Sequence, residues 1–182
     1  MTNYLVYLGG MFNYVGIGKG GGAQLSALNG VPYLAWPQVS GVVYVALPDA
    51  TGGGYIGGDF NSVGGITRGN LAHLRGDRTL DIAWNPATTG IVRCLAIGGS
   101  TLYIGGDLTR VGTTARNRIA ALNIANGTLT TWNPNASGPV YAIGLIGSRV
   151  FVSGSFTNIG TQTRFNLASL DAVTGSATGW AP

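Results

Sequence analysis

Side chains able to carry chemistry are scarce in this 182-residue chain. It has six acids, Asp49, Asp59, Asp77, Asp81, Asp107 and Asp171, no glutamate, a single histidine, His73, and a single cysteine, Cys94. Acid–base catalysis would need carboxylates brought together from Asp59, Asp107 and Asp81. His73 has no second histidine with which to share a metal, and Cys94 has neither a disulfide partner nor a histidine at fixed spacing, so it reads as a small core residue. Charged residues make up 9% of the chain, against about 25% in ordinary soluble domains. These counts favour a protein that is not an enzyme, with no catalytic residue, metal site or cofactor.

Two further patterns concern anions. Gly16-x-Gly18-x-x-Gly21, with Lys19 inside it, formally matches a dinucleotide fingerprint. That fingerprint works only where a strand feeds a helix whose N-terminus holds the pyrophosphate, and no helical pattern follows Gly22. The formal charge is +4, but Lys19 is the only lysine and the arginines are dispersed. Phosphate backbones are bound by clustered bases, so no nucleic-acid partner is expected. No apolar run approaches the roughly 18 residues of a membrane span, and no basic segment leads into an apolar one at the start. The expectation is therefore no membrane partner and no signal peptide.

The remaining candidates share one spacing. Arg68, Arg116 and Arg164 are each 48 residues apart, and Asp59 and Asp107 stand nine residues before the first two. As a ligand site they would form a ring of repeated contacts, as in multivalent lectins. As structure they would form charge pairs or backbone caps that fix a glycine loop, the role favoured for residues that recur with a repeat.

The elements that must position these residues follow the same period. Gly10, Gly58, Gly106 and Gly154 step by 48, as do Gly16, Gly64, Gly112 and Gly160, and so do all four tryptophans, Trp36, Trp84, Trp132 and Trp180. A proline follows each tryptophan closely: Pro37, Pro86, Pro134 and Pro182. Four repeats, approximately 1–37, 38–86, 87–134 and 135–182, fill one domain spanning 1–182. Within the last repeat, Val140 to Leu145, Val150 to Phe156, Phe165 to Leu170 and Ala177 to Trp180 read as successive strands separated by glycine turns. Thr174-Gly175 occupies the last turn, and Asn126-Gly127 and Asn29-Gly30 occupy it in other copies. Four antiparallel strands per repeat of about 48 residues predict an all-β chain, a β-propeller of four blades. Glycine doublets would let packed blades approach closely, and Phe12, Phe60, Leu108 and Phe156 would fill a recurrent inter-blade pocket. The first blade is incomplete: its first strand present, Tyr4 to Gly10, corresponds to the second strand of the others, and its glycine loop is longer and lacks the arginine.

The pattern Tyr55-Ile-Gly-Gly-Asp-Phe-x-x-Val-Gly64, followed by R-x-x-L-A-x-L, T-G and W-N-P, resembles the delta-sixty repeat of bacterial and viral propeller proteins, and more distantly kelch blades. This resemblance implies a propeller and no catalytic residue. Two functions are then expected to compete. One is a structural or interaction module within a larger assembly, such as a phage virion or tail or a bacterial surface protein, whose partners are other proteins or further copies of itself and whose location is a virion or an extracellular assembly. The other is a carbohydrate-binding propeller for surface glycans. Tyr33, Tyr44, Tyr55, Tyr103 and Tyr141 would stack on sugars if exposed, although strand alternation favours packing for several of them.

Overall fold

The computed structural model describes residues 5–9, 22–26, 28–31 and 36–180; the side chains of 5–9 and 22–24 are outside this description. The expectations for Gly10, Phe12, the loop around Lys19, Tyr33 and Pro182 lie outside the described residues. Regular structure among the described residues is entirely strand, arranged in small antiparallel sheets. The chain divides into two compact units, Met1–Asn85 and Pro86–Pro182.

In the first unit, β1 (Leu5–Gly9) pairs with β2 (Gly22–Ser26), Val6 opposite Leu25. A second sheet is built on β4 (Gly54–Val63), which pairs with β3 (Val39–Pro48) along one edge and with β5 (Ile66–Thr67) and β6 (Leu71–Leu74) along the other. Its core gathers Trp36, Val39, Val43, Ile56, Phe60, Val63, Ala72, Leu74 and Leu80.

The second unit contains two copies of one sheet. In the third repeat, β7 (Thr88–Thr89) leads into β8 (Val92–Gly98), β9 (Thr101–Gly106), the short β10 (Arg110–Val111) and β11 (Thr114–Ala115), and β12 (Ile119–Asn123). Here β9 lies between β8 and β12, while β10 lies between β7 and β11. In the fourth repeat, β13 (Val140–Ile146), β14 (Arg149–Gly154) and β17 (Leu167–Asp171) repeat the first arrangement, and β15 (Asn158–Ile159) pairs with β16 (Gln162–Thr163). The last pair is a two-residue hairpin in which Gly160 and Thr161 both have positive φ, 59° and 66°. That backbone twist suits tight hairpins.

Two sequence expectations are modified. The run Ala177 to Trp180 is not a fourth ladder strand but is held by one isolated bridge, Leu170 to Ala177, as Leu122 to Leu129 and Leu74 to Leu80 are in the preceding repeats. The reason lies in competition for acceptors: the carbonyl of Thr178 accepts from Arg164 rather than from a neighbouring strand. The second concerns the signature glycine. A Cβ at Gly58, Gly106 or Gly154 would collide with the carbonyl oxygen of Val42 in β3, of Ile91 immediately before β8 or of Pro139 immediately before β13. These glycines therefore serve pairing inside each sheet.

Close packing between the third and fourth repeats falls to the preceding glycine. A Cβ at Gly105 would lie 2.7 Å from both Cys94 Sγ and Val140 Cγ1 and 3.0 Å from Ile143 Cδ1. In the fourth repeat the equivalent pair is Ala142 opposite Ser153, where the third has Cys94 opposite Gly105. The bulk has moved from one strand to the other. The resulting core includes Cys94, Tyr103, Ile119, Ala121, Trp132, Val140, Val150, Val152, Phe156 and Leu170, all from the second unit.

Candidate functional site

The three repeated arginines make the same contacts. Arg68, Arg116 and Arg164 each donate from one terminal nitrogen to the carbonyl of the preceding residue, at 2.8, 2.9 and 2.8 Å. The other terminal nitrogen donates to the carbonyl fourteen residues ahead, Ile82, Thr130 or Thr178, at 2.9, 3.0 and 2.8 Å. A planar fork with fixed donors suits this bridging role, which a lysine point charge would not reproduce. Each fork ties a short glycine hairpin to the segment that ends two residues later in the repeat tryptophan. In each of the three, Nε is buried with no hydrogen-bond partner. Arg68 is itself buried, and desolvation holds its guanidinium below the ordinary arginine range despite the nearby Asp81 carboxylate.

The two aspartates of the expected ring differ from each other. Asp107 accepts from Arg93 Nη2 at 2.6 Å and from its Nε at 2.8 Å. Asp59 is exposed and lines an open depression of about 510 Å³ with Ser40, Phe60, Asn61, Thr67 and Asn70. Neither aspartate forms an ion pair with a repeated arginine in the described contacts. The tyrosines also divide, Tyr55 and Tyr103 being buried and Tyr44 and Tyr141 exposed.

Among the described residues, the densest titratable cluster lies in the first unit and includes Asp49, which the sequence did not single out. His73 Nε2 contacts Asp49 Oδ2 at 2.9 Å, and His73 Nδ1 contacts Asp81 Oδ2 at 3.0 Å. Arg75 adds a 2.8 Å contact to the other oxygen of Asp81. Tyr55 stacks on the imidazole, ring centroids 4.5 Å apart, with Trp84 beside it. For Asp49, burial acts to raise the pKa, but hydrogen bonds from His73, Thr51 and Gly53 bring it below its ordinary value. For Asp81, burial is likewise outweighed, by His73 and Arg75. Burial, with both carboxylates nearby, pushes the Tyr55 hydroxyl up to about 12.

This cluster is built as a staple. Both ring nitrogens face carboxylates, so the imidazole ties β6 to the Asp49 turn on one side and to Asp81 on the other. Among the described residues, no three His, Cys, Asp or Glu side chains are arranged to hold a metal ion. Cys94 is buried, and desolvation pushes its thiol up to about 12, the opposite of an activated nucleophile.

A different kind of site appears when equivalent positions of the third and fourth repeats are compared. In the third, Tyr103, Gly105, Ile119 and Ala121 share one sheet face, because Ile119 is opposite Gly105 and Ala121 opposite Tyr103. The fourth repeat covers that face: Trp132 Nε1 donates to Asp171 O and the Tyr103 hydroxyl to Ala172 O, both at 3.0 Å. Gly175, in the Thr-Gly turn, sits 3.4 Å from the Trp132 indole when given a Cβ. Phe151, Ser153, Leu167 and Ser169 form the corresponding face of the fourth repeat, with Trp180 edge-on to Phe151 at 5.5 Å. There Trp180 is 38% exposed where Trp132 is 3%, and Leu167 is 37% exposed where Ile119 is fully buried. Phe165, in the loop before β17, is 68% exposed.

No protein-family model matches the sequence, and a search of curated proteins gave no match. No helix among the described residues is long and apolar enough to cross a membrane.

Proposed function

We propose that the chain is a structural and interaction module of the β-propeller type, in which the four repeats are blades and the work is done by packing apolar blade faces within a larger assembly. A virion, a phage tail and a bacterial surface layer are assemblies of this kind. The observation that carries the reading is the fourth-repeat face, where Trp180 and Leu167 are exposed at positions whose counterparts in the third repeat, Trp132 and Ile119, are buried core. Apolar surface of this kind in a soluble chain marks a place of association. The period of 48, the antiparallel sheets and the packing of the fourth repeat on Trp132 support the propeller part of the proposal.

An experimental structure of the chain at high concentration tests both parts. The expected result is four sheets succeeding one another around a common axis, with the Trp180 face covered. Sheets stacked without a shared axis would remove the propeller, and a face left bare at every concentration would remove the interaction role.

A second reading, carbohydrate binding, draws on one feature. The depression beside Asp59 offers a carboxylate, the amides Asn61 and Asn70 and the hydroxyls Ser40 and Thr67 next to Phe60, the polar-and-aromatic mixture that holds sugars. A glycan panel at millimolar sugar decides it: binding lost on Asp59→Asn supports the reading, and no saturable binding dismisses it.

A further inference from the structure

We propose that the depression beside Asp59 binds a guanidinium group, the arginine side chain of a partner protein, as the third repeat binds its own Arg93 on Asp107. Every residue lining the depression belongs to the first unit. The inference goes beyond the interaction reading by naming a separate site and the chemistry of its ligand.

That chemistry follows from one position compared across three repeats. The ladder between the first two long strands of each sheet slips by one residue, at Tyr44 in β3, Arg93 in β8 and Tyr141 in β13. A bulge of this kind re-aims a side chain. In the third repeat the bulge residue meets Asp107, whose Oδ2 accepts from Arg93 Nη2 at 2.6 Å and from its Nε at 2.8 Å. A second guanidinium, that of Arg118, donates to the Asp107 carbonyl at 2.9 Å. The second repeat keeps the acid, Asp59, but has Tyr44 in place of Arg93 and Asn70 in place of Arg118. The fourth has none of the three charges, with Ser155, Tyr141 and Asn166 at these positions. Acid and guanidinium are therefore present together in one repeat, absent together in another, and unmatched in the second. The Asp59 carboxylate makes no ion pair among the described residues. A depression of about 510 Å³ opens beside it, room for a side chain that its own bulge does not supply.

The lining suits a planar group with many donors. A guanidinium carries five N–H donors and no acceptor. Two would fall on the Asp59 carboxylate, as two of Arg93 fall on Asp107, and the side chains of Asn61, Ser40 and Thr67 line the same depression with further acceptor oxygens. An ammonium is a compact point charge and would not span that set. Asn70 Oδ1 accepts from the Phe60 amide at 3.0 Å, so it fixes the lining rather than the ligand.

A proton–nitrogen NMR titration of the full chain with N-acetylarginine amide tests the inference. Saturable shifts of the Asn61 and Gly69 amides are expected, with binding weakened about fivefold by Asp59→Asn and unchanged by Asp107→Asn. Tyr44→Arg provides the second arm: it restores the third-repeat arrangement, so its own guanidinium should occupy Asp59 and exclude the probe. Asp59 and Tyr44 are both exposed, so neither change threatens folding. The absence of saturable shifts overturns the proposal, as do shifts that either Asp59→Asn or Tyr44→Arg leaves at full strength. N-acetyllysine amide bound as tightly as the arginine probe overturns the guanidinium assignment. A sugar that binds where the arginine probe does not overturns the proposal in favour of the carbohydrate reading. The interaction reading turns on the Trp180 face and is decided separately.

Discussion

Gly105 and Cys94 show how one position can govern the contact between two repeats. Because a Cβ at Gly105 would lie 2.7 Å from Cys94 Sγ and from Val140 Cγ1, Gly105→Ser should destabilise the chain by about 1–3 kcal/mol through overpacking. Cys94→Ala removes one of the two obstructions and recreates the Ala142 and Ser153 pairing of the next repeat. In denaturant titrations, the double variant should be less destabilised than the two single changes summed, with a coupling of at least about 0.5 kcal/mol. Strict additivity would show that the clash is not what makes glycine necessary. At this scale the sequence was informative about recurrence and silent about partners. The spacing of Arg68, Arg116 and Arg164 pointed to a repeated structural role, and all three form backbone forks. Their acceptors were illegible because a main-chain carbonyl carries no side-chain signature. Asp49 escaped notice for a related reason: it meets His73 across 24 positions of chain, through a hairpin loop peculiar to the second repeat.

That loop is where the elements of the first unit are tied together. Asp49 Oδ1 accepts from the Thr51 and Gly53 amides at 2.7 and 2.8 Å, shaping the turn between β3 and β4, while its Oδ2 meets His73 on β6. Asp81, beyond the following turn, holds the other side of the imidazole. Both carboxylates have folded pKa values below their ordinary 3.8. A group depressed on folding contributes stability that is complete above its unfolded pKa and is lost as pH falls through the lower, folded value. The protein should therefore lose stability as pH drops below about 4, and Asp49→Asn should make that loss shallower in denaturant midpoints measured across the acid range. An unchanged slope would mean that Asp49 is not linked to folding. At this scale the glycine and asparagine turns were legible, as were the strands β13, β14 and β17. The segment after Thr174-Gly175 was not, because its alternation looks like a strand while the arginine fork, invisible to periodicity, takes its carbonyl instead.

For the molecule as a whole, the second unit carries a core made only of its own residues, from Cys94 to Leu170, sealed by the Trp132 and Tyr103 hydrogen bonds to the fourth repeat. Residues 86–182 expressed alone should unfold in a single cooperative transition and keep the near-ultraviolet signal of the edge-on Tyr103 and Trp132 rings, which are 5.0 Å apart. A fragment with native-like strand content but no such signal would show that this core depends on the first unit. The two units divide between Asn85 and Pro86. What the period could not reveal was inequality among the copies, since identical spacing says nothing about how far each repeat's tryptophan is buried.

That inequality gives the protein an optical label of its own. Trp36, Trp84 and Trp132 are 1–3% exposed, whereas Trp180 is 38% exposed. Excited at the red edge of indole absorption, the chain should emit chiefly from one residue in contact with water, against a blue-shifted background from three that are not. Any event that dries the last face would then be recorded as a change of colour, without a dye, a tag or a substitution.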